Sequence, residues 1–175
     1  MPLYLVRHAH AVSEEENRQR PLSDRGRAQV RTLAGFFRAN KLFVPAHVWH
    51  SPLARAQETA ELLLVGLASE AALVETSGLL PENDPTEIAS RLDSIATAIN
   101  VAIVGHQPHL GALATLLLRG KPGPDLLDFK KGGVLSLDRT GNVHKKTGRA
   151  IWCINWFVTP ELLVTKPAGD PSWAP

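Results

Sequence analysis

Two short, unbroken apolar runs, at 3–6 and 101–104, constrain the fold of this chain more than any other feature. Runs of this length are typical of strands that are buried on both faces of a parallel sheet. Each run ends at polar residues: Arg7 and His8 follow the first run, and His106 follows the second. The sequence therefore predicts polar side chains at the carboxyl ends of buried strands, where open α/β sheets bind their ligands.

Amphipathic helices alternate with the strands along the chain. Residues 46–50 are expected to form another strand, and 71–76 a short edge strand. Capping residues indicate three of the helix starts: Ser23, Ser51 followed by Pro52, and Asp84 in a capping box with Glu87. The alternation predicts an α/β fold, a three-layer α/β/α sandwich whose helices cover both faces of a mainly parallel central sheet.

The carboxyl-terminal third is expected to complete the same sheet. Residues 134–137 and 151–158 are predicted to pair as a closing hairpin around the Gly-Asn pair at 141–142. No linker divides the chain, so we expect a single domain over 1–164. The last stretch, 165–175, contains three prolines and is expected to be a mobile tail.

Composition and charge narrow the functional classes. A formal net charge of +2 is too small to indicate nucleic-acid binding, and we expect Lys130-Lys131 and Lys145-Lys146 to be solvated loop ends. The single cysteine, Cys153, excludes an internal disulfide, and its apolar neighbours predict a buried thiol. No apolar run reaches membrane-spanning length and no export pattern is present, so we expect a cytoplasmic protein that binds neither membrane nor nucleic acid. The oligomeric state stays open.

Four charged or ionisable side chains are expected to face one pocket. Arg7 and His8 follow the first strand, and His106 follows the strand at 101–104. Arg55 lies in the first turn of the helix that follows the strand at 46–50. Because the carboxyl ends of parallel strands meet at one edge of a sheet, these residues can converge. Two arginines, two histidines and the nearby helix N-termini favour a multiply charged oxyanion, most naturally phosphate.

The same residues resemble the signatures of a known family. The strings Val-Arg-His-Ala at 6–9, Ser-Pro-Leu-Ala-Arg-Ala-Gln-Glu-Thr-Ala at 51–60 and Val-Gly-His at 104–106 resemble the three motifs of the histidine phosphatase superfamily. The short chain and the Arg-Pro-Leu-Ser string at 20–23 resemble its SixA-type phosphohistidine phosphatase branch. The resemblance implies a phosphoglycerate mutase-like fold.

The resemblance also implies a role for each matching residue. His8 would be the nucleophile that becomes phosphorylated, and Arg7, Arg55 and His106 would hold the phosphoryl oxygens. To attack phosphorus the His8 ring must be neutral, and flanking cations favour that state by lowering its pKa. This chemistry requires no metal ion and no cofactor. Ala9 replaces the usual glycine, which would cost about 1 kcal/mol or more if the position needs a positive φ.

Two further residues are predicted from their positions. The leaving group needs a proton, for which Glu82 is favoured over Asp84, because Asp84 has a competing role as a helix cap. Arg20 lies on the loop after the first strand and could fold back over the pocket as a substrate-binding residue. Only about 25 residues separate Leu79 from Val104 and most of them form one helix, so the pocket is expected to be open.

The expected substrate is phosphohistidine on a protein partner, such as a histidine-containing phosphotransfer domain. A phosphohistidine ring can leave as neutral imidazole, so it depends less on a general acid than the alkoxide of an ester does. Small phosphate esters are the second candidate substrate.

Two alternative hypotheses about function are compatible with the sequence. A metal hydrolase would use ligand-like histidine spacings, but the arginines would repel a divalent cation and carboxylates are lacking at the strand ends. A phosphate- or phosphoprotein-binding module would need only the arginines, so the presence of both His8 and His106 favours catalysis. The remaining histidines are expected on the surface or in loops (His47, His50, His144) or at the rim of the pocket (His10, His109).

Overall fold

A computed structural model describes residues 2–164 of the chain. Six strands form one sheet: β1 (Pro2–Arg7), β2 (His47–His50), β3 (Ala72–Glu75), β4 (Val101–Gly105), β5 (Val134–Val143) and β6 (Ala150–Val158). Five helices accompany them: α1 (Asp24–Asn40), α2 (Ala54–Leu67), α3 (Pro85–Ser94), α4 (His109–Arg119) and α5 (Pro160–Leu163). The predicted tail, 165–175, lies outside the described residues.

The sheet is mainly parallel, as predicted. Its strand order is β3-β2-β4-β1-β5-β6, and the first four strands in that order are mutually parallel. β5 and β6 run antiparallel to their neighbours. The register pairs Arg7 with Gly105, so the residues that follow β1 and β4 leave the sheet side by side.

The apolar runs that predicted β1 and β4 are buried on both faces. Leu3 and Leu5 point into the layer that contains α3 and α4, whereas Tyr4 and Val6 point into the layer that contains α1 and α2. All four side chains are at most 2% exposed. Successive strand side chains point to opposite faces, so a run without alternation requires cover on both sides. This arrangement confirms the predicted three-layer sandwich.

Helix caps agree with the sequence at two of three sites. Ser23 caps α1, because its side-chain oxygen accepts a hydrogen bond from the Gly26 backbone N–H at 3.2 Å. Asp84 caps α3 by accepting from the Thr86 backbone N–H at 2.8 Å, and Pro85 occupies the first helical turn. The predicted capping box is wrong for Glu87, because its carboxylate forms an ion pair with Arg91, one turn later on the exposed face of the helix.

The predicted cap at Ser51 is wrong. α2 begins at Ala54, and its N-cap residue is Leu53, which has no side-chain oxygen. The Ser51 hydroxyl is instead hydrogen-bonded to Nε2 of His106, at 2.8 Å, where β2 and β4 end. The first turn of α2 consequently lacks a side-chain cap.

The closing hairpin is longer than predicted. β5 continues through the Gly-Asn pair at 141–142 to Val143, and a turn over 144–149 connects it to β6. A register shift between the pairs at Arg139 and Val143 accommodates the extra residues, which is the usual effect of a bulge. The expectation of a buried Cys153 is also wrong: it is exposed, because β6 is the edge strand of the sheet.

None of the helices within 2–164 has both the length and the apolar character needed to cross a bilayer.

Gly26 is required where the first turn of α1 approaches the loop after β1. A Cβ at this position would meet the backbone carbonyl of His10. We therefore expect Gly26→Ala to destabilise the protein by about 1–3 kcal/mol through overpacking, measured by urea unfolding. Gly35→Ala in the same helix is the matched control: nothing lies within 4 Å of its added Cβ, so it should stabilise by about 0.5–1 kcal/mol. Equal stability of the two variants would contradict this contact.

Candidate active site

His8 is held in one tautomer at the carboxyl end of β1. Its backbone N–H donates to the Gly105 carbonyl at 2.9 Å, which extends the strand ladder by one residue. Its ring Nδ1 lies 2.7 Å from the carbonyl oxygen of Ala9. A carbonyl can only accept, so Nδ1 carries the hydrogen and Nε2 keeps its lone pair. The ring is 7% exposed, which leaves a small opening through which a substrate can reach it.

His106 lies beside His8, as the strand register predicted. The two ring centroids are 5.1 Å apart and the rings are inclined by 54°. Nε2 of His106 is 2.8 Å from the Ser51 hydroxyl, which also accepts a long hydrogen bond from the Leu53 backbone N–H at 3.4 Å. When the Ser51 hydroxyl donates to Nε2, Nδ1 of His106 carries the ring hydrogen. Nδ1 is buried and has no partner among residues 2–164.

Arg7 and Arg55 bring positive charge to the two imidazoles from different elements. One terminal nitrogen of Arg7 donates to the Phe129 carbonyl, and its Nε is buried with no partner in the described part of the chain. Arg55 lies in the first turn of α2 and is half-buried. Its carbonyl accepts from the Thr59 hydroxyl at 2.7 Å, and that hydroxyl accepts from the Ala9 backbone N–H at 3.1 Å. α2 is thereby attached to the loop that follows His8.

Both histidines are uncharged near neutral pH. Burial is the main cause that lowers the pKa of His8 to about 4, and the charges of Arg55, Arg7 and Lys131 lower it further against the hydrogen bond to Ala9. Burial also lowers the pKa of His106 to about 3, with smaller contributions from His8 and Arg55. Fixed cations therefore surround two neutral rings, as expected for a site that receives an anion.

Ala9 carries no backbone strain. Among residues 2–164, the non-glycine residues with positive φ are Arg20, Lys41 and Ala68, so Ala9 is not one of them. Its side chain is fully buried. The destabilisation expected for alanine at a position with positive φ therefore does not arise, because the backbone at residue 9 does not adopt the left-handed conformation that favours glycine.

Arg20 does fold back toward the pocket. It adopts φ 50°, is partly buried, and donates from Nε to the Val12 carbonyl at 3.3 Å. Its charge contributes to lowering the pKa of Arg55, which places the two guanidinium groups near each other. Its role in substrate binding stays a prediction.

Lys131 is a residue of the site that sequence reasoning assigned wrongly to a solvated loop end. The next residue, Gly132, donates its backbone N–H to the carbonyls of Arg7 and His8 at 3.2 and 3.1 Å. Burial lowers the pKa of Lys131, followed by the charges of Arg7 and two other arginines. The signal in the sequence was the Gly-Gly pair at 132–133, since glycine with positive φ, here 76° at Gly132, allows a close backbone approach.

The two candidate proton donors lie on the loop between β3 and α3. Asp84 is engaged as the cap of α3. Glu82 is exposed, and within residues 2–164 it makes no hydrogen bond or ion pair that would fix its carboxylate. This loop lines a cavity of about 360 Å³ together with Pro52, the residue after Ser51. The loop thus lies across this cavity from Pro52, and the function of Glu82 stays a prediction.

The other histidines do not form a metal centre. The rim placement predicted for His109 and the surface placement predicted for His50 are wrong, since they are 1% and 4% exposed. His10 is partly buried, with Nδ1 2.8 Å from the Ser23 hydroxyl. Throughout 2–164, no group of three or more His, Cys, Asp or Glu residues is arranged to hold a metal ion.

Comparison with known proteins identifies the family. A model of the histidine phosphatase superfamily (branch 1) matches residues 3–94. The chain belongs to this superfamily. It is also 30% identical over 142 residues to an uncharacterized protein of Picosynechococcus sp. (strain PCC 7002), a match that covers 78% of this chain and 84% of that protein.

Solved structures of phosphatases share the fold of this chain. The structure of the protein histidine phosphatase SixA complexed with tungstate aligns with a TM-score of 0.77 at 22% identity, covering 94% of this chain and 100% of that chain. A native mycobacterial glucosyl-3-phosphoglycerate phosphatase aligns with a TM-score of 0.64 at 17% identity, covering 88% and 96%. These likenesses confirm the predicted phosphoglycerate mutase-like α/β fold.

The protonation of His8 can be measured directly by ¹⁵N NMR of the imidazole nitrogens in phosphate-free buffer. We expect the ring to stay neutral, with its hydrogen on Nδ1, as the pH falls from 7 to 5, and to titrate with a pKa of about 4. Burial penalises the charged form in the folded protein only, so in urea the same ring should titrate near its ordinary value of about 6.5. The signal is assigned by its loss in His8→Ala. A folded-state midpoint near 6.5 would contradict the burial described here.

Proposed function

We propose that this chain is a phosphatase that transfers a phosphoryl group first to His8 and then to water. The observation that carries this proposal is the His8 ring itself, which is neutral and buried and has its Nε2 lone pair free. Arg7, Arg55 and the N–H of His106 accompany it. A binding module would need the cations, but it would not need an imidazole held in the tautomer that attacks phosphorus.

The first step makes a covalent intermediate. The lone pair of His8 Nε2 attacks phosphorus and forms the N–P bond, while the bond from phosphorus to the leaving group breaks and its electron pair departs with that group. The phosphorylated ring carries a positive charge, which the carbonyl of Ala9 stabilises through its 2.7 Å contact with Nδ1. In the second step water attacks phosphorus, gives up a proton to solvent, and the N–P electron pair returns to Nε2.

The transferring phosphoryl group needs donors that are fixed before the reaction. Arg7 Nε and His106 Nδ1 are buried nitrogens without a partner in the described part of the chain, and phosphoryl oxygens would satisfy both when Nδ1 carries the ring hydrogen. Preorganised charge in a partly dehydrated site is usually the largest catalytic contribution in phosphoryl transfer. We further propose that no metal ion takes part, because Arg7 and Arg55 already supply the charge that a metal would supply.

Phosphohistidine on a protein is the substrate we propose. The exposed Glu82 carboxylate has no fixed contact, so the site is better suited to a leaving group that departs neutral than to an alkoxide. The structural relative SixA is described as a protein histidine phosphatase, which supports the same substrate. The glucosyl-3-phosphoglycerate phosphatase shares the fold and is described by a small substrate, so fold alone does not choose between the two classes.

Trapping the intermediate tests the nucleophile. We expect acid-labile, base-stable phosphate on His8 after brief incubation with phosphoramidate, located by mass spectrometry, and turnover that is unaffected by EDTA. His8→Ala should abolish both, while vanadate still binds to the remaining arginines and His106. His47→Ala, at the opposite end of the sheet, is the matched control and should keep full activity. Activity of His8→Ala within tenfold of the parent would rule out His8 as nucleophile, and loss of turnover in EDTA would favour a metal hydrolase.

The role of Glu82 distinguishes the two substrate classes. We expect Glu82→Gln to slow hydrolysis of an alkyl phosphate by more than about tenfold, because a poor leaving group depends on a proton donor. Cleavage of a phosphohistidine peptide should change by less than about threefold, because neutral imidazole leaves without such help. Glu70→Gln, an exposed carboxylate before β3 at the far edge of the sheet, is the control. Equal slowing of both reactions, or a preference of the parent for sugar phosphates, would contradict the proposed substrate.

A further inference from the structure

Basic residues form a second, outer layer of charge around the phosphate pocket. We call Arg18, Arg20, Arg25 and Lys131 the cationic rim. They lie on three segments: the loop over 12–22, the first turn of α1 and the loop over 129–133. The start of α1 is hydrogen-bonded to His10, and the loop over 129–133 to Arg7 and His8.

Backbone hydrogen bonds fix these segments. Val12 N–H donates to the Pro21 carbonyl at 3.0 Å and closes the loop that carries Arg18 and Arg20. Ser23 N–H donates to the His10 carbonyl at 3.0 Å and sets the start of α1, two residues before Arg25. The bonds from Gly132 to the strand end place Lys131. The fold therefore fixes the backbone positions of the rim residues.

The rim is continuous with the pocket. Arg18 lines a cavity of about 380 Å³ together with Arg55 and the uncapped first turn of α2. Arg20 and Arg25 both help to lower the pKa of Lys131, and Lys131 in turn helps to lower that of His8. The outer charges thus lie close enough to one another, and to the nucleophile, to interact.

Nearby carboxylates do not neutralise the rim. Four ion pairs are found within residues 2–164, and none includes a rim residue: Arg27–Glu58, Arg91–Glu87, Lys130–Asp128 and Arg149–Asp93. Glu16 lies on the same loop, but its carboxylate accepts from the backbone N–H and hydroxyl of Ser13 at 2.9 and 3.2 Å. Glu14, Glu15 and Asp24 are exposed and form no ion pair with the rim. The like charges of the rim repel one another, and an anionic ligand would reduce this repulsion.

We propose that the cationic rim binds an acidic protein face that surrounds the phosphorylated side chain. This inference rests on the proposed function and specifies its partner. A single phosphoryl group is already matched by Arg7, Arg55 and His106, so the rim requires additional negative charge. Arg18 and Arg25 are exposed and belong to separate segments, so several carboxylates spread over a surface suit them better than one compact ligand. Complementary charge of this kind mainly raises the association rate and selects the partner.

Matched peptides test the proposal. One phosphohistidine peptide carries Asp and Glu on both sides of the phosphorylated residue, and the other carries Ala and Ser at the same places. At low salt we expect kcat/KM to be about fivefold to tenfold higher for the acidic peptide, and the preference to shrink at high salt. The double variant Arg18→Glu, Arg25→Glu should remove the preference while hydrolysis of a small aryl phosphate stays within about twofold.

Arg38→Glu is the matched control for the charge change. Arg38 is in the last turn of α1, on the same helix as Arg25 but about 20 Å further along it. This variant should keep the preference for the acidic peptide. Equal kcat/KM values for the two peptides in the parent, or equal loss of preference in Arg38→Glu and in the double variant, would overturn the proposal. The proposal would also be overturned if Arg18 and Arg25 were needed for the hydrolysis of tripolyphosphate and not for that of the acidic peptide.

A binding measurement separates this inference from the proposed function. If the parent cleaves neither peptide, the proposed phosphatase activity fails, and affinities of His8→Ala for the two peptides still decide the role of the rim. Tighter binding of the acidic peptide that depends on Arg18 and Arg25 would support it, and equal affinities would overturn it. Matched phosphotyrosine peptides, one acidic and one neutral, give a further outcome. If they are cleaved faster than the phosphohistidine peptides but with the same preference for the acidic version, that result would support the role of the rim and contradict the proposed substrate.

Discussion

The parallel pairing of β1 with β4 is the constraint on which the rest of the site depends. It sets Arg7 opposite Gly105, and the His8 N–H extends the ladder by donating to the Gly105 carbonyl at 2.9 Å. Ser51 N–H extends the β2–β4 pair in the same way, donating to the Val104 carbonyl at 3.0 Å. Three strand ends are thus fixed at one level of the sheet. A slip of one residue in either pair would turn His8 or His106 toward the other face and remove it from the pocket.

The imidazoles of His8 and His106 stay neutral, which limits the electrostatic repulsion among the positive charges of the site. Two neutral rings packed beside Arg7 and Arg55 avoid further repulsion, and the lone pair on Nε2 of His8 stays free for the proposed attack. The arrangement has a cost at acid pH. Between about pH 6.5 and the lowered folded-state pKa values of about 4 and 3, the unfolded chain binds protons that folded His8 and His106 do not. Their contribution to stability is therefore complete above about pH 6.5 and is lost as the pH falls through this window.

The sequence predicted what depends on local pattern. Apolar runs gave β1 and β4, periodicity gave the helices, and the positions of Arg7, His8, Arg55 and His106 after predicted elements placed them at one edge. The sequence-based prediction was wrong where a side chain contacts a residue that is distant along the chain. Ser51 has the pattern of a helix cap, but His106, far along the chain, takes its hydroxyl. Lys131 was assigned to solvent because the Gly-Gly pair at 132–133 permits a close backbone approach but does not reveal that the end of β1 is its partner. The end of β5 depends on a bulge.

The proposed substrate follows from what such a pocket can and cannot supply. Guanidinium groups and a neutral imidazole N–H stabilise negative charge on phosphoryl oxygens, whereas neither is an effective proton donor at neutral pH. A leaving group that accumulates negative charge must then find its proton on an exposed group such as Glu82 or in water. A phosphohistidine ring that is already protonated on the nitrogen not bonded to phosphorus departs as neutral imidazole and needs no proton donor. The charge distribution around His8 therefore supports the proposed cleavage of N–P over O–P bonds, and it does so without an enclosed acid.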